Sequence, residues 1–94
     1  MIDDMNPNEV LLKVKSSSSS ASLAAAIANN VYSHKEITLR AIGAAAVNQA
    51  MKAVAIAQSY VGPRGWVLSC RPGFTTVPMD DGDISALIFK IIVS

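Results

Sequence analysis

The sequence feature that most constrains the fold is a long alanine-rich segment at residues 41–63, AIGAAAVNQAMKAVAIAQSYVGP. Gly43 precedes its apolar run and a Gly-Pro pair follows it, so the segment predicts a helix over about residues 44–60. Its apolar residues cover more of the helix surface than the usual face of about 100°. We therefore expect this helix to be buried on two sides.

A single sheet covers only one side of such a helix, so the other side needs a second partner. Alanine lets two backbones approach closely, and a second copy of the chain would supply the cover. We predict a homodimer or higher homo-oligomer through the outward-facing Ala46, Ala53 and Ile56. The alternative is an ordinary surface helix, since alanine is also the best helix-forming residue.

Shorter periodic segments surround this helix. Apolar and polar residues alternate in the strand patterns, and a helical pattern follows the serine run at 16–20, in which one serine can act as the N-cap. The glycines and prolines of residues 72–83, PGFTTVPMDDGD, predict interrupted pairing, with a turn at Asp-Asp-Gly. The predicted strands are 10–15, 36–42, 66–71 and 85–93, and the predicted helices are 22–32 and 44–60.

The resulting order is β-α-β-α-β-β. Two right-handed strand-helix-strand units make three strands parallel and put both helices on one face, while the fourth strand returns antiparallel. The predicted fold class is α+β, a two-layer sandwich with a four-stranded mixed sheet. We expect one domain over residues 10–94, preceded by a flexible polar tail at residues 1–9.

The second face of this sheet has no helices to cover it, and basic residues concentrate there. Between residues 10 and 79 the chain has seven Lys or Arg residues and a single acid, Glu36. One interpretation is a solvated sheet face, which is charged anyway. The other is an electrostatic footprint for a phosphate backbone. Strand parity assigns to this face Lys13, Lys15, Arg40, Arg71 and Lys90.

Composition excludes several classes of protein. With 51% hydrophobic and 16% charged residues, the chain is typical of a globular protein rather than a disordered one. No uncharged apolar segment reaches the roughly 18–20 residues of a membrane span. The first nine residues are acidic and polar, unlike a secretory signal, so we expect a cytoplasmic protein. Cys70 stands alone and excludes an internal disulfide.

Other chemistry-bearing residues are sparse, and we predict no catalytic residue, no metal site and no cofactor. His34 has no second ligand nearby and indicates a solvated loop residue. Cys70 is typical of a small buried core residue, because no activating base is evident. Trp66 is interpreted as an anchor at a strand start, the alternative being an indole that stacks on a base beside Arg64. The acids at 80–83 lack calcium-loop spacing.

The segment AIGAAAVNQAMKAVAIA, followed by SYVGP, resembles the signature of the stage V sporulation protein S family, small bacterial proteins with the Alba-like fold. LLKVKSSSS, AAAIANNV and CRPGFT match in the right order, so the resemblance covers residues 10–93. It implies the same β-α-β-α-β-β order. Members are associated with regulation of sporulation, and their likeness to Alba proteins implies nucleic-acid binding in a dimer.

The resemblance places a nucleic-acid-binding region at the start of the long helix, where free backbone N–H groups suit a phosphate. The alternative for Asn48 and Gln49 is structural, as hydrogen bonds between subunits or to a loop. The chain departs from the family where serines replace the basic first loop, which lowers the number of phosphates it can neutralise. The candidate nucleic-acid-binding residues are Lys13, Lys15, Arg40, Gly43, Asn48, Gln49, Lys52, Arg64 and Arg71.

Two functions of different classes follow. The first is a small non-enzymatic regulator that binds DNA or RNA as a dimer. The second is a protein-interaction or assembly module without nucleic-acid binding, in which apolar surfaces join copies of the chain or a sporulation partner. Neither a membrane nor a small-molecule substrate is indicated.

Overall fold

The computed structural model describes residues 7–94, and its elements occur in the predicted order. The sheet has the strand order β1-β2-β4-β3, with β1 and β2 parallel and β4 antiparallel to both of its neighbours. This confirms the α+β fold class with a four-stranded mixed sheet and two helices. The elements are β1 (Glu9–Val14), α1 (Ser20–Tyr32), β2 (Glu36–Ala41), α2 (Ala44–Val61), β3 (Leu68–Met79) and β4 (Gly82–Val93).

The folded part begins earlier than the sequence predicts. Residues 1–6 of the predicted tail lie outside the described residues. Glu9 is the first residue of β1, and the carbonyl of Asn8 accepts a hydrogen bond from the N–H of Glu36 at 2.8 Å. Glu9 therefore belongs to the sheet, and Asn8 precedes it in a turn that is hydrogen-bonded to β2.

Helix α1 is closed at both ends by local hydrogen bonds. Ser19 is the N-cap, and its Oγ accepts from the N–H of Ser22 at 3.2 Å, as expected of the serine run. At the other end, the N–H of His34 donates to Val31 and that of Lys35 donates to Asn30. This bond pair is a Schellman motif, with His34 in the left-handed position at φ 57°.

The two alanine-rich helices pack on each other as well as on the sheet. Ala24 and Ala28 of α1 and Ala50 and Ala57 of α2 are buried in one core cluster. Small side chains let the helix backbones approach closely, and the sheet lies beneath both. The fully buried residues of α2 therefore lie on one stripe that faces α1 and the sheet, while its outer side, which includes Met51 and Ala55, is exposed. The predicted burial of α2 on two sides is not found.

The predicted homo-oligomer interface on α2 is consequently wrong for two of its three residues. Ala46 and Ala53 are 1% and 0% exposed and leave no surface for another copy, while Ile56 is half-buried and packs against the core. The prediction considered only the sheet as a cover within the chain and overlooked α1.

The structure also corrects the prediction for the pairing of strand β3. Interrupted pairing was predicted for residues 72–83, yet β3 pairs with β4 from Leu68 to Met79, and only Asp80 and Asp81 form the turn. Just before β3, Val67 and Ser94 form a hydrogen-bonded pair in which each N–H donates to the other's carbonyl. Hydrogen-bonded and non-hydrogen-bonded pairs alternate along an antiparallel ladder. The N–H of every even-numbered residue of β3 therefore points away from β4. Pro72 and Pro78 occupy such positions and cost no ladder bond on this edge strand.

The close helix contact predicts a sharp size limit at Ala53. We expect Ala53→Leu to lower the free energy of unfolding by about 1–3 kcal/mol, because added methylenes must separate α1 from α2. Ala55→Leu is the matched control, since Ala55 is exposed on the same helix, and it should leave stability within about 0.5 kcal/mol. Urea unfolding measures both. Equal effects would contradict the packing described.

Candidate nucleic-acid interface

The helix-free face of the sheet carries a line of cations across all four strands. In the registers of the sheet, Lys13 of β1 lies opposite Arg40 of β2, and Arg71 of β3 lies opposite Lys90 of β4. Lys90 is opposite Thr38, two residues from Arg40, so the two pairs are diagonal neighbours at about 7–8 Å between Cα atoms. We call these four residues the basic line.

Both pairs in the basic line place like charges directly opposite each other, an arrangement that destabilises a sheet. An anion bound over the face would remove that repulsion. At the β1 end, a cleft of about 290 Å³ adjoins the line. This basic cleft is lined by Lys13, Val14, Lys15, Ser16, Arg40 and Ile42. Three of the predicted nucleic-acid-binding cations, Lys13, Lys15 and Arg40, thus meet in one place.

The residues predicted at the start of α2 lie elsewhere. Gly43 is the N-cap at φ 89°, a conformation that favours glycine, and has no side-chain cap. Asn48 and Lys52 are exposed on α2. Since α2 covers the other face of the sheet, these residues form a surface separate from the basic line.

Gln49 has a structural partner. Its Nε2 donates to the carbonyl of Ser18 at 2.7 Å, which ties α2 to the loop before α1. Gln49 therefore has the structural role given above as the alternative, a hydrogen bond to a loop, and the bond lies within one chain. Its amide N–H group is already used by this bond.

Arg64 lies far from the start of α2. Its guanidinium lies 4.3 Å from the centroid of the Tyr32 ring and 6.0 Å from that of Trp66. It follows α2 in a short 3₁₀ turn, Gly62–Arg64. The 18 residues of α2 separate it from Gly43 by about 27 Å. The structure thus gives Arg64 a cation–π contact at the opposite end of α2 from Gly43.

The remaining predicted positions agree with their simpler interpretations. His34 is exposed, and Trp66 is half-buried against the core just before β3. Cys70 is half-buried, and burial raises the pKa of its thiol, which disfavours the reactive thiolate at neutral pH. Among residues 7–94 no cluster of three or more metal-ligating side chains occurs.

Sequence reasoning missed an apolar groove between the start of α2 and the β3–β4 hairpin. Phe74 of β3 is 81% exposed beside it. Because residues 72–83 were predicted to lack regular pairing, nothing in the sequence indicated on which side of the sheet Phe74 would lie. The groove has a volume of about 420 Å³ and is lined by Ala41, Gly43, Ala44, Val47, Phe74, Ser85, Ala86 and Leu87.

Comparison with known proteins agrees with this architecture. The sequence model of the family described as stage V sporulation protein S (SpoVS) matches residues 10–94. The chain belongs to the SpoVS family. Among solved structures it is similar to Alba from Thermoplasma volcanium, with a TM-score of 0.62 and 15% identity over 90% of this chain and 99% of that one. At this identity the likeness shows the fold, and it confirms the Alba-like prediction for this SpoVS member.

Across the described part of the SpoVS chain, none of the helices combines the length and hydropathy needed to cross a membrane.

The contact of Gln49 predicts a difference between two neighbouring residues of the long helix. We expect Gln49→Ala to lower the free energy of unfolding by about 1 kcal/mol, because the Ser18 carbonyl loses its donor. Asn48→Ala, the matched control on the exposed side, should leave stability unchanged. Chemical denaturation compares them, and an equal loss in both variants would contradict a structural role specific to Gln49.

Proposed function

We propose that this SpoVS member is a small non-enzymatic regulatory protein of the cytoplasm that binds nucleic acid, as a dimer, through the helix-free face of its sheet. The observation that carries the proposal is the basic line, with Lys15 at its β1 end. The family description connects the chain to sporulation, and the likeness to Alba proteins supports nucleic acid as the ligand.

Electrostatics favours the sheet face over the start of α2. The face brings four cations into register across the strands, whereas α2 offers Lys52 and the partial charge of its N-terminus. Each cation that neutralises a phosphate releases counterions and contributes to a sequence-independent affinity. A phosphate backbone lying across the strands would also relieve the repulsion within the Lys13–Arg40 and Arg71–Lys90 pairs.

The neutral serine run limits the strength of this interaction. Ser18 caps the preceding turn, since its Oγ accepts from the N–H of Lys15 at 2.8 Å, and Ser19 caps α1. These hydroxyls organise the loop rather than add charge. We therefore expect binding of moderate affinity that weakens steeply as salt increases.

For the dimer we propose the apolar groove as the contact surface. An aromatic side chain as exposed as that of Phe74, next to a concave apolar surface, is typical of an interface anchor. In a two-fold dimer, Phe74 of each subunit would occupy the groove of the other, and both surfaces would be used at once.

The same groove favours a second candidate function, an assembly module that joins copies of the chain without binding nucleic acid. The two functions differ in their salt dependence. Nucleic-acid binding requires the cations of the sheet, whereas assembly alone requires only the apolar surface around Phe74.

We predict that the double variant Lys13→Gln/Arg40→Gln binds DNA and RNA more weakly than the natural chain. The slope of log K against log salt concentration should become shallower by about 2, because two phosphate contacts are lost. Fluorescence anisotropy with labelled duplex DNA and single-stranded RNA at several salt concentrations measures this slope.

Lys52→Gln is the control, because it removes the same charge from the helix layer. Its affinity and slope should match those of the natural chain. A larger effect of Lys52→Gln than of the double variant would move the interface to α2. Absence of salt-sensitive binding in the natural chain would leave the assembly module as the function.

We further predict that Phe74→Ser raises the dissociation constant of the dimer about tenfold or more, since a buried aromatic anchor contributes over 1 kcal/mol. The fold should be unaffected because Phe74 is exposed within one chain. Val67→Ser is the control, as Val67 is 61% exposed at the other end of the sheet. Sedimentation equilibrium distinguishes them, and a natural chain that stays monomeric at high concentration would refute the dimer.

A further inference from the structure

The sheet opens at the end opposite the basic cleft, where β2 and β4 part. The two strands pair over residues 38–41 and 87–90, although β2 begins at Glu36 and β4 continues to Val93. A cleft of about 410 Å³ lies there, within the range of about 300–1,000 Å³ typical of small-molecule sites. This Trp66 cleft is lined by Val31, His34, Lys35, Glu36, Trp66, Lys90, Ile91, Val93 and Ser94.

One wall of the Trp66 cleft is aromatic and held in place. The indole of Trp66 lies 5.8 Å from the Tyr32 ring and 6.3 Å from the His34 imidazole, which meets it edge-on at 85°. Gln58 holds the backbone at and just after Trp66, donating to the Trp66 carbonyl at 3.0 Å and accepting from the N–H of Leu68 at 2.7 Å. The indole is therefore positioned before any ligand arrives.

His34 occupies a backbone position that usually belongs to glycine. Its φ of 57° is the only positive value at a non-glycine residue among residues 7–94. A side chain at this position of a Schellman motif is disfavoured relative to glycine. The imidazole of His34 is thus held at the cleft by the end of α1.

The charges around the Trp66 cleft favour an anion. Lys35 and Lys90 line it, together with the carboxyl groups of Glu36 and of Ser94. Arg71 is the cross-strand neighbour of Lys90, and Arg64 lies 6.0 Å from the Trp66 ring. The cleft thus combines an aromatic surface with two lysines in its lining and two arginines nearby.

We propose that the Trp66 cleft binds a nucleotide, with the base against Trp66 and His34 and the phosphate at Lys35 and Lys90. Aromatic side chains accept every base on its flat face, and ammonium groups bind phosphate. The ligand is a free mononucleotide or the terminal nucleotide of a strand, since both present a base and a phosphate. The site lies toward the start of β2 and the basic cleft toward its end, and Lys90 belongs both to the site and to the basic line.

Trp66 is the only tryptophan of the chain, so its fluorescence reports on the cleft directly. We expect saturable quenching of the full chain by AMP, and at least tenfold weaker responses to adenosine and to inorganic phosphate, each of which lacks half of the ligand. Absence of saturable quenching by AMP, GMP, CMP and UMP up to about 10 mM, and by a phosphorylated oligonucleotide, would overturn the proposal.

Two variants separate binding from folding. Lys35→Gln should weaken AMP binding about tenfold with an unchanged Tm, while Lys52→Gln should change neither. His34→Gly should keep or raise the Tm, because glycine suits the left-handed position, yet weaken AMP binding at least threefold. Unchanged AMP affinity in both Lys35→Gln and His34→Gly would refute the assignment.

The source of the nucleotide is tested in the Lys13→Gln/Arg40→Gln background, where the proposed sheet-face interface is weakened. Quenching by AMP assigns a free mononucleotide. Quenching by a short 5′-phosphorylated oligonucleotide, but not by AMP or the 5′-hydroxyl oligonucleotide, assigns a strand end. Because the readout is Trp66 fluorescence, its failure is distinguishable from loss of salt-dependent binding at the basic line.

Discussion

The close contact between α1 and α2 is the constraint on which the rest of the structure depends. Buried alanines on both helices, among them Ala24, Ala28, Ala50 and Ala53, belong to one core cluster and allow the two backbones to lie side by side over the sheet. This placement leaves the other sheet face without helices. It also ties the start of α2 to the loop before α1 through Gln49. The basic line and the groove beside Phe74 both follow from how the helix pair sits on the sheet.

Much of the fold could be predicted from the sequence because its signals are local. The alternation in β1 and β2, the serine N-cap and the glycine before α2 each specify their own element. The parity argument placed Lys13, Arg40, Arg71 and Lys90 on one face, and the sheet registers bring them together. The length of β3 could not be predicted in the same way. Proline is tolerated in β3 because it stands at positions whose N–H would point away from β4. Which positions these are depends on the register between β3 and β4, and the sequence of the segment alone does not give it.

The candidate sites also combine features that local sequence predicts with features that only the packing of distant segments determines. Sequence reasoning expected a second copy to cover the outer side of α2, which the structure exposes, since a helical wheel gives the width of an apolar surface and not its neighbours. It likewise grouped Arg64 and Gln49 with the phosphate-binding residues because of their residue types. Their actual partners, Tyr32 and Ser18, are distant in sequence and are fixed only by the packing of α1 on α2. The Trp66 cleft arises where two strands part, which no local pattern indicates.

The positions of the two prolines in β3 affect how the exposed edge of the sheet can pair with another strand. The N–H groups of the even-numbered residues of this strand point away from β4, at the edge of the sheet. Pro72 and Pro78 have no N–H to offer, and the N–H of Leu68 is taken by Gln58. Of the six even-numbered positions between residues 68 and 78, three therefore offer no free N–H group to a further strand. A strand from another molecule would meet an interrupted row of donors here, so this edge does not favour extension of the sheet.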